Sequence, residues 1–133
     1  MIKLLLSVLF WGAFLSTPAK LKVVVRDIKV GKGSIVLEVY DNEKSFLKKP
    51  AAKQIAKANN QNLEFSFELP EGNYAIAIYQ DINDNKKLDK GLFGIPTEPY
   101  GLSNNFRPKF SAPSFNDCKL KIAQQTTTTI LLK

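Results

Sequence analysis

The stretch LEFSFELPEGNYAIAIY, residues 63–79, decides the fold. Leu63, Phe65, Phe67 and Leu69 alternate with Glu64, Ser66 and Glu68. That period of two puts one row of side chains on a core and the other in water. Pro70-Glu71-Gly72-Asn73 then reads as a tight turn, with proline presetting the first central position and glycine accepting a positive φ. Residues 74–79 are apolar on both parities. They predict a central strand covered on both faces, its alanines against one of the layers.

Working outward, residues 21–28 form a β-branched first strand and residues 29–33 a glycine-bearing turn. Residues 34–40 form a second strand, with Ile35, Leu37 and Val39 on one face. The turn suits a hairpin and a Greek-key connection equally. Residues 41–60 lose their β-branched side chains, so they predict a long loop anchored by Phe46 and Leu47. Helical character is expected over residues 51–58, with Ile55 facing inward. Past residue 105 the pattern predicts a short strand somewhere in residues 106–112 and an alternating strand over 115–123. A turn at 124–126 and a last strand over 127–132 complete the chain.

Six or seven short strands, polar turns and no long amphipathic helix predict an all-β fold. The expected architecture is a two-sheet Greek-key sandwich, immunoglobulin-like or prealbumin (transthyretin)-like, with one long structured loop over residues 81–114. No repeat or linker divides residues 20–133, so they are read as one domain.

Residues 1–19 are read separately. Met1-Ile2-Lys3 is a short basic start, residues 4–15 are almost wholly apolar, and Ser16-Thr17-Pro18-Ala19 is small and helix-breaking. This layout predicts a secretory signal cleaved after Ala19. The apolar run, about 12 residues, is short of the ~20 that a membrane-spanning helix needs. The expected destination is the periplasm or the outside of the cell, with no transmembrane segment after cleavage.

The chain of 133 residues carries a formal charge of +7, with 19 basic against 12 acidic residues. Much of the excess comes from Lys44, Lys48, Lys49, Lys53 and Lys57. A basic face of this kind serves solubility and could also meet an acidic envelope surface. An exported chain with no helix-turn-helix, finger or aromatic RNA-binding motif is not expected to bind nucleic acid. Cys118 is the single cysteine, so no disulfide is expected. It reads as a buried small hydrophobe on the parity of Leu120 and Ile122.

The candidate chemistry lies in DINDNKKLDKGLFGIPTEPYGLSNN, residues 81–105. Asp81, Asn83, Asn85 and Asp89 occupy positions 1, 3, 5 and 9 of a calcium-loop pattern, and the Lys87 backbone carbonyl supplies position 7. Alternating short side chains let one tight loop turn several hard oxygens toward a calcium ion. The pattern then departs from an EF-hand: Lys86 replaces the position-6 glycine and Leu92 the position-12 glutamate. Lys86, Lys87 and Lys90 offset Asp81, Asp84 and Asp89. Two readings therefore stand together, a structural calcium ion and Asx-type turns that need none. Beyond this segment, the aromatics of residues 93–101 are expected to fold back over one end of the sandwich. Phe93, Glu98, Tyr100, Asn104 and Asn105 are the candidate binding residues, since a long ordered loop is where a scaffold carries its contacts.

Enzymatic readings find little to rest on. With no histidine, the usual Ser-His-Asp and Cys-His devices are absent, as are most zinc sites. Asp84, Asp89 and Glu98 could supply a carboxylate pair for glycoside cleavage, but in a lysine-rich loop without an apolar pocket.

Residues 69–105 resemble the uncharacterised exported bacterial proteins of domain-of-unknown-function family 2141. The resemblance rests on a "lp-x-G-x-Y-a" strand start at Leu69, the acidic-amide loop from Asp81, and a "fGiP-x-EpyGfSnn" run from Phe93. It extends over most of residues 21–132. The resemblance implies a small signal-bearing protein, exported mostly in Gram-negative bacteria, with a prealbumin-like or carboxypeptidase-regulatory-like sandwich. It implies no activity. Family loops often read N-G-K-x-D where this chain has Asn85-Lys86-Lys87-Leu88-Asp89.

Together these readings predict an exported, non-enzymatic binding or accessory β-domain of the bacterial envelope, calcium-stabilised in one reading, with an envelope or extracellular ligand. The alternatives are a structural or interaction module using the lysine-rich face of residues 41–60, and a hydrolase of unknown type.

Overall fold

A computed structural model describes residues 18–133. The basic start and apolar run of the expected signal lie outside the described residues. Ala19, the residue before the expected cut, opens the first strand, where it is buried and paired with Leu69.

Among the described residues, eight strands form two sheets. They are β1 (Ala19–Arg26), β2 (Ser34–Tyr40), β3 (Ala52–Lys57), β4 (Leu63–Leu69), β5 (Gly72–Asp81), β6 (Tyr100–Leu102), β7 (Leu120–Ile122) and β8 (Gln125–Leu131). The smaller sheet runs β4-β1-β8 and the larger β3-β2-β5-β6, with β7 also on β5. Pairing is antiparallel except between β1 and β8, which run parallel with Val23 opposite Thr128.

The alternation predicted at residues 63–69 sets the register. Phe67 stands opposite Leu21 and Phe65 opposite Val23, so both apolar rows face the same way. Across the gap, Ile35, Leu37 and Val39 of β2 and Ile76 and Ile78 of β5 complete an apolar layer with Ile122 and Ile130. The other parity of β5 meets a second cluster. Ala75 packs there with Tyr40, Phe46, Leu102, Phe115 and Cys118, and Ala77 and Tyr100 lie against it. This accounts for an apolar strand on both parities. The Phe46 ring stands edge-on to both Tyr40 (centroids 5.4 Å apart) and Phe115 (6.1 Å).

β1 and β2 lie in different sheets, so residues 27–33 cross from one sheet to the other and make no hairpin. Gln80, fully buried, pins this crossing. Its Oε1 accepts from Lys29 N–H (3.0 Å) and its Nε2 donates to the carbonyls of Lys29 and Lys32 (2.7 Å each). Gly33 has φ +63, and a Cβ there would stand 1.8 Å from the Asp81 carbonyl oxygen. Only glycine lets the crossing approach the start of the long loop this closely.

Several local expectations are corrected. Residues 51–58 are no helix: Ala52–Lys57 is an edge strand on β2. Its Ala, Lys and Gln are good helix formers, but propensity is worth little per residue, and the open edge of β2 supplies backbone partners that override it. Ile55 accordingly faces outward, 56% exposed, while Ala52 and Ala56 face the core. Leu47 is exposed as well, and only Phe46 anchors its loop.

Residues 115–118 are a helical turn, α1 (Phe115–Cys118), which leaves the strand three residues long. Ser114 caps it: its Oγ accepts from Asp117 N–H, and the Asp117 carboxylate accepts from Ser114 N–H. Cys118 is buried as expected, though in the second cluster and not beside Leu120 and Ile122. Finally, residues 106–112 contain no strand, and the short strand falls earlier, at Tyr100–Leu102.

Candidate functional site

The loop leaves β5 at Asp81 and returns at β6, and its acidic groups close it on itself. Asp81 is buried, its Oδ1 accepting from Asn85 N–H (3.1 Å) and its Oδ2 from Lys86 N–H (2.7 Å). Asn83 and Asn85 each make an Asx turn: their Oδ1 atoms accept from the N–H groups of Asn85 (3.3 Å) and Lys87 (3.0 Å). Their Nδ2 groups both donate to Asp89, at 2.6 Å each. These amides hold the Asp89 carboxyl below the usual carboxylate range, Asn85 contributing most and Asn83 next.

Glu98 clasps the two ends. Its Oε2 accepts from Ile82 N–H (2.7 Å) and its Oε1 from Asp89 N–H (2.8 Å), and the side chain is buried. Asp84 leans the other way, accepting from Ser34 Oγ (2.9 Å) and facing Lys57 Nζ at 3.8 Å.

The five residues of the calcium pattern are thus brought into one turn. Asn83, Asn85 and Asp89 converge, and Lys86 has the left-handed φ of +64 that suits the glycine it replaces. In ligand type, two carboxylates, two amides and a carbonyl fit a hard cation. Among the described residues, no group of three or more His, Cys, Asp or Glu stands where it could share one ion. The Asx turns of the alternative reading are present.

Of the binding candidates, Phe93 stands apart at the loop's tip. Gly91 N–H donates to Ile95 O (2.7 Å) and Ile95 N–H to Leu92 O (3.3 Å), closing a tight turn. Leu92 is 84%, Phe93 99% and Ile95 63% exposed. This corrects the expectation that the aromatic tail folds back as a whole. Tyr100 does fold back: it lies against the second cluster, with the Arg107 guanidinium 4.0 Å above its ring and Arg107 Nη1 donating to Tyr100 O (2.8 Å).

Asn104 and Asn105 bond to backbone. Asn104 Nδ2 donates to Lys119 O (2.9 Å), and Asn105 bonds Thr129 and Leu131 of β8. Gln80, Arg107 and the apolar pair Leu92 and Ile95 were missed in the sequence. Only the apolar pair carried a signal, as large aliphatics beside glycines in a polar loop.

Elsewhere, Tyr40 is buried with its hydroxyl donating to Glu38, and burial together with that carboxylate raises its pKa. Tyr79 is pushed up to about 12 by burial and by the charges of Glu38, Asp81 and Glu98. Burial lifts the Cys118 thiol to about 11, away from nucleophilic use. A cavity of about 640 Å³ lies along the three-stranded sheet between Lys20, Lys22, Ser66, Glu68 and Thr127, and is lined by no residue of the loop. Lys53 and Lys57, in the lysine-rich stretch, face Glu38 (3.4 Å) and Asp84 (3.8 Å). Cys118 is free. No helix among the described residues is long and apolar enough to cross a membrane.

No curated protein and no solved structure matches the chain. Residues 23–130 match the family model described as "uncharacterized protein conserved in bacteria", DUF2141, and the chain belongs to that family.

Proposed function

We propose that the chain is an exported, non-enzymatic accessory or binding domain of the bacterial envelope, which displays its contact surface on the loop between β5 and β6. One observation carries the reading. Asp81, Asp89 and Glu98 are turned onto the loop's own N–H groups and amides, while Leu92, Phe93 and Ile95 at its tip are turned outward. A catalytic cleft would aim the acids at a substrate and would raise the pKa of one of them to make a proton donor. Here the Asp89 carboxyl is held low by the amides of Asn85 and Asn83.

The sandwich belongs, in this reading, to the prealbumin-like type. An immunoglobulin sheet joins the first, second, fifth and fourth strands. In this chain the first strand pairs with the fourth and eighth, and the second with the third and fifth. Calcium enters as a structural ligand held by Asp81, Asn83, Asn85, Asp89 and the Lys87 carbonyl. The side chains of Asn83 and Asn85 reach Asp89 through their Nδ2 groups, and an ion here would replace those bonds and turn the amide oxygens inward.

Export is tested by expressing the full chain with a C-terminal tag in a Gram-negative host. The expected product is shortened, begins at Lys20 and is released with the periplasm. A product that keeps Met1 and stays in the cytoplasm overturns the reading.

A further inference from the structure

The turn at residues 90–96 combines three features that packing does not require. Leu92, Phe93 and Ile95 all project into solvent. Phe93 holds a φ of +59, a strained region for a bulky residue, and gains no burial in return. The turn is nonetheless fixed, by the hydrogen bonds between Gly91, Leu92 and Ile95 and by a bridge between Lys90 and Pro96.

In the loop that carries this knob the charges are sorted. Asp81 and Glu98 are buried at the loop's base and bonded to N–H groups, Asp89 is held by two amides, and Asp84 faces Lys57. Lys86, Lys87 and Lys90 are exposed, and among the described residues they take part in no ion pair. The acids are spent on these contacts, Lys90 borders the apolar point, and Lys86 and Lys87 are left over earlier in the same loop.

We propose that this turn is a lipid-docking knob. Leu92, Phe93 and Ile95 enter the interfacial region of a membrane leaflet, and Lys86, Lys87 and Lys90 meet its anionic headgroups. A narrow convex point suits a deformable surface, where apolar side chains at the headgroup boundary and a few lysines act together. The inference rests on the display-loop reading above and needs neither calcium nor cleavage of the signal.

The test uses residues 18–133, which contain every described strand and both apolar clusters and omit the apolar run at residues 4–15. Vesicles of phosphatidylcholine with and without phosphatidylglycerol are the probes, and co-sedimentation is the readout. The domain is expected to bind the anionic vesicles and to release as salt rises. Leu92→Ser with Phe93→Ser should weaken binding about tenfold or more, and each of Lys87→Gln and Lys90→Gln about fivefold. Phe110→Ser, which removes a fully exposed phenylalanine outside the turn, should change nothing. Phe93→Trp adds a spectroscopic check. The chain's one tryptophan, Trp11, lies outside this segment, so the new indole is the sole reporter and its emission should shift blue on vesicles.

The proposal is overturned by no binding, by equal binding to neutral vesicles, by binding that survives the Leu92/Phe93 change, or by a dimer that the same change dissolves. Failure here with a normally exported chain removes the lipid and leaves the envelope reading. A cytoplasmic chain that still binds vesicles does the reverse.

Discussion

Asn105 closes the outer edge of β8 at Leu131. Its Oδ1 accepts from Leu131 N–H (3.0 Å) while its Nδ2 donates to the Thr129 carbonyl (3.1 Å). One amide side chain thereby does what a neighbouring strand would do for two successive outward-facing peptide groups. β8 is an edge strand rich in β-branched residues, QTTTTIL, and an open edge of that kind invites pairing with other chains. Asn105→Ala should cost about 1 kcal/mol, the net worth of such bonds. It should also speed aggregation on mild heating. Light scattering of the two proteins at matched temperature checks it, and indistinguishable curves would remove the edge-guarding role.

Glu98 is the loop's clasp, so its loss should loosen the loop before it unfolds the sandwich. Glu98→Ala leaves the N–H groups of Ile82 and Asp89 without their charged acceptor. Hydrogen bonds to ionised groups contribute ~1.5–3 kcal/mol each, and those donors regain water when the loop opens. The expected outcome is about 2–3 kcal/mol of lost stability. Faster hydrogen exchange should be confined to residues 82–98, while the amides of β1, β2 and β5 remain protected. Uniform loss of protection would show that the loop and the core open together.

The Asp89 carboxyl gives a pH signature. Its pKa is lowered from the model-peptide value of 3.8 by the amides of Asn85 and Asn83. A carboxylate lowered on folding adds stability above its unfolded pKa and loses it as pH falls through the folded one. The loop should therefore keep its geometry down to about pH 4 and relax below that. An NMR titration should place the Asp89 midpoint below 3.8 and show Asn85→Ala moving it upward. A midpoint unmoved by that change would mean the amides do not reach the carboxylate in solution.

How far the sequence could be read depended on whether a segment's partner lay within it. Residues 63–79 carry their own instruction: alternation fixed the face of β4, and apolar residues on both parities of β5 implied the second layer that Phe46, Phe115 and Cys118 supply. Residues 52–57 carry none. Lys, Ala and Gln become a strand only because β2 offers an unpaired edge, and a neighbour's unmet hydrogen bonds leave no local mark. The helical turn at residues 115–118 did have a local signal in Ser114 and Asp117, outweighed by the apparent alternation from Phe115. In the candidate site, spacing brought out the inward-facing acids and amides of residues 81–89. That Asn104 and Asn105 would serve β8 and the segment after α1 depends on long-range placement, and no spacing encodes it.

Lys86 links the loop's conformation to the calcium reading. Its φ of +64 lies in the left-handed region, where a side chain costs roughly 1 kcal/mol that glycine avoids. Its N–H must still reach Asp81 Oδ2 at 2.7 Å, so the turn holds this conformation despite the cost. Lys86→Gly should therefore raise stability without calcium by up to about 1 kcal/mol, less what glycine gives back by loosening the unfolded chain. It also removes one of the lysines that repel a cation, so it should tighten calcium binding. Sites on extracellular modules bind calcium with dissociation constants of about 0.1–1 mM. At 10 mM calcium, such a site adds ~1.4–2.7 kcal/mol by mass action. Melting curves with 10 mM calcium and with chelator, for both proteins, separate the two effects. A gain in Lys86→Gly that is the same with and without calcium supports the turn strain, and melting of the unsubstituted chain that calcium leaves unmoved removes the ion, leaving the Asx turns to hold the loop alone. A gain that grows with calcium supports the site, and a clear loss in both conditions would mean that Lys86 is not held left-handed at all.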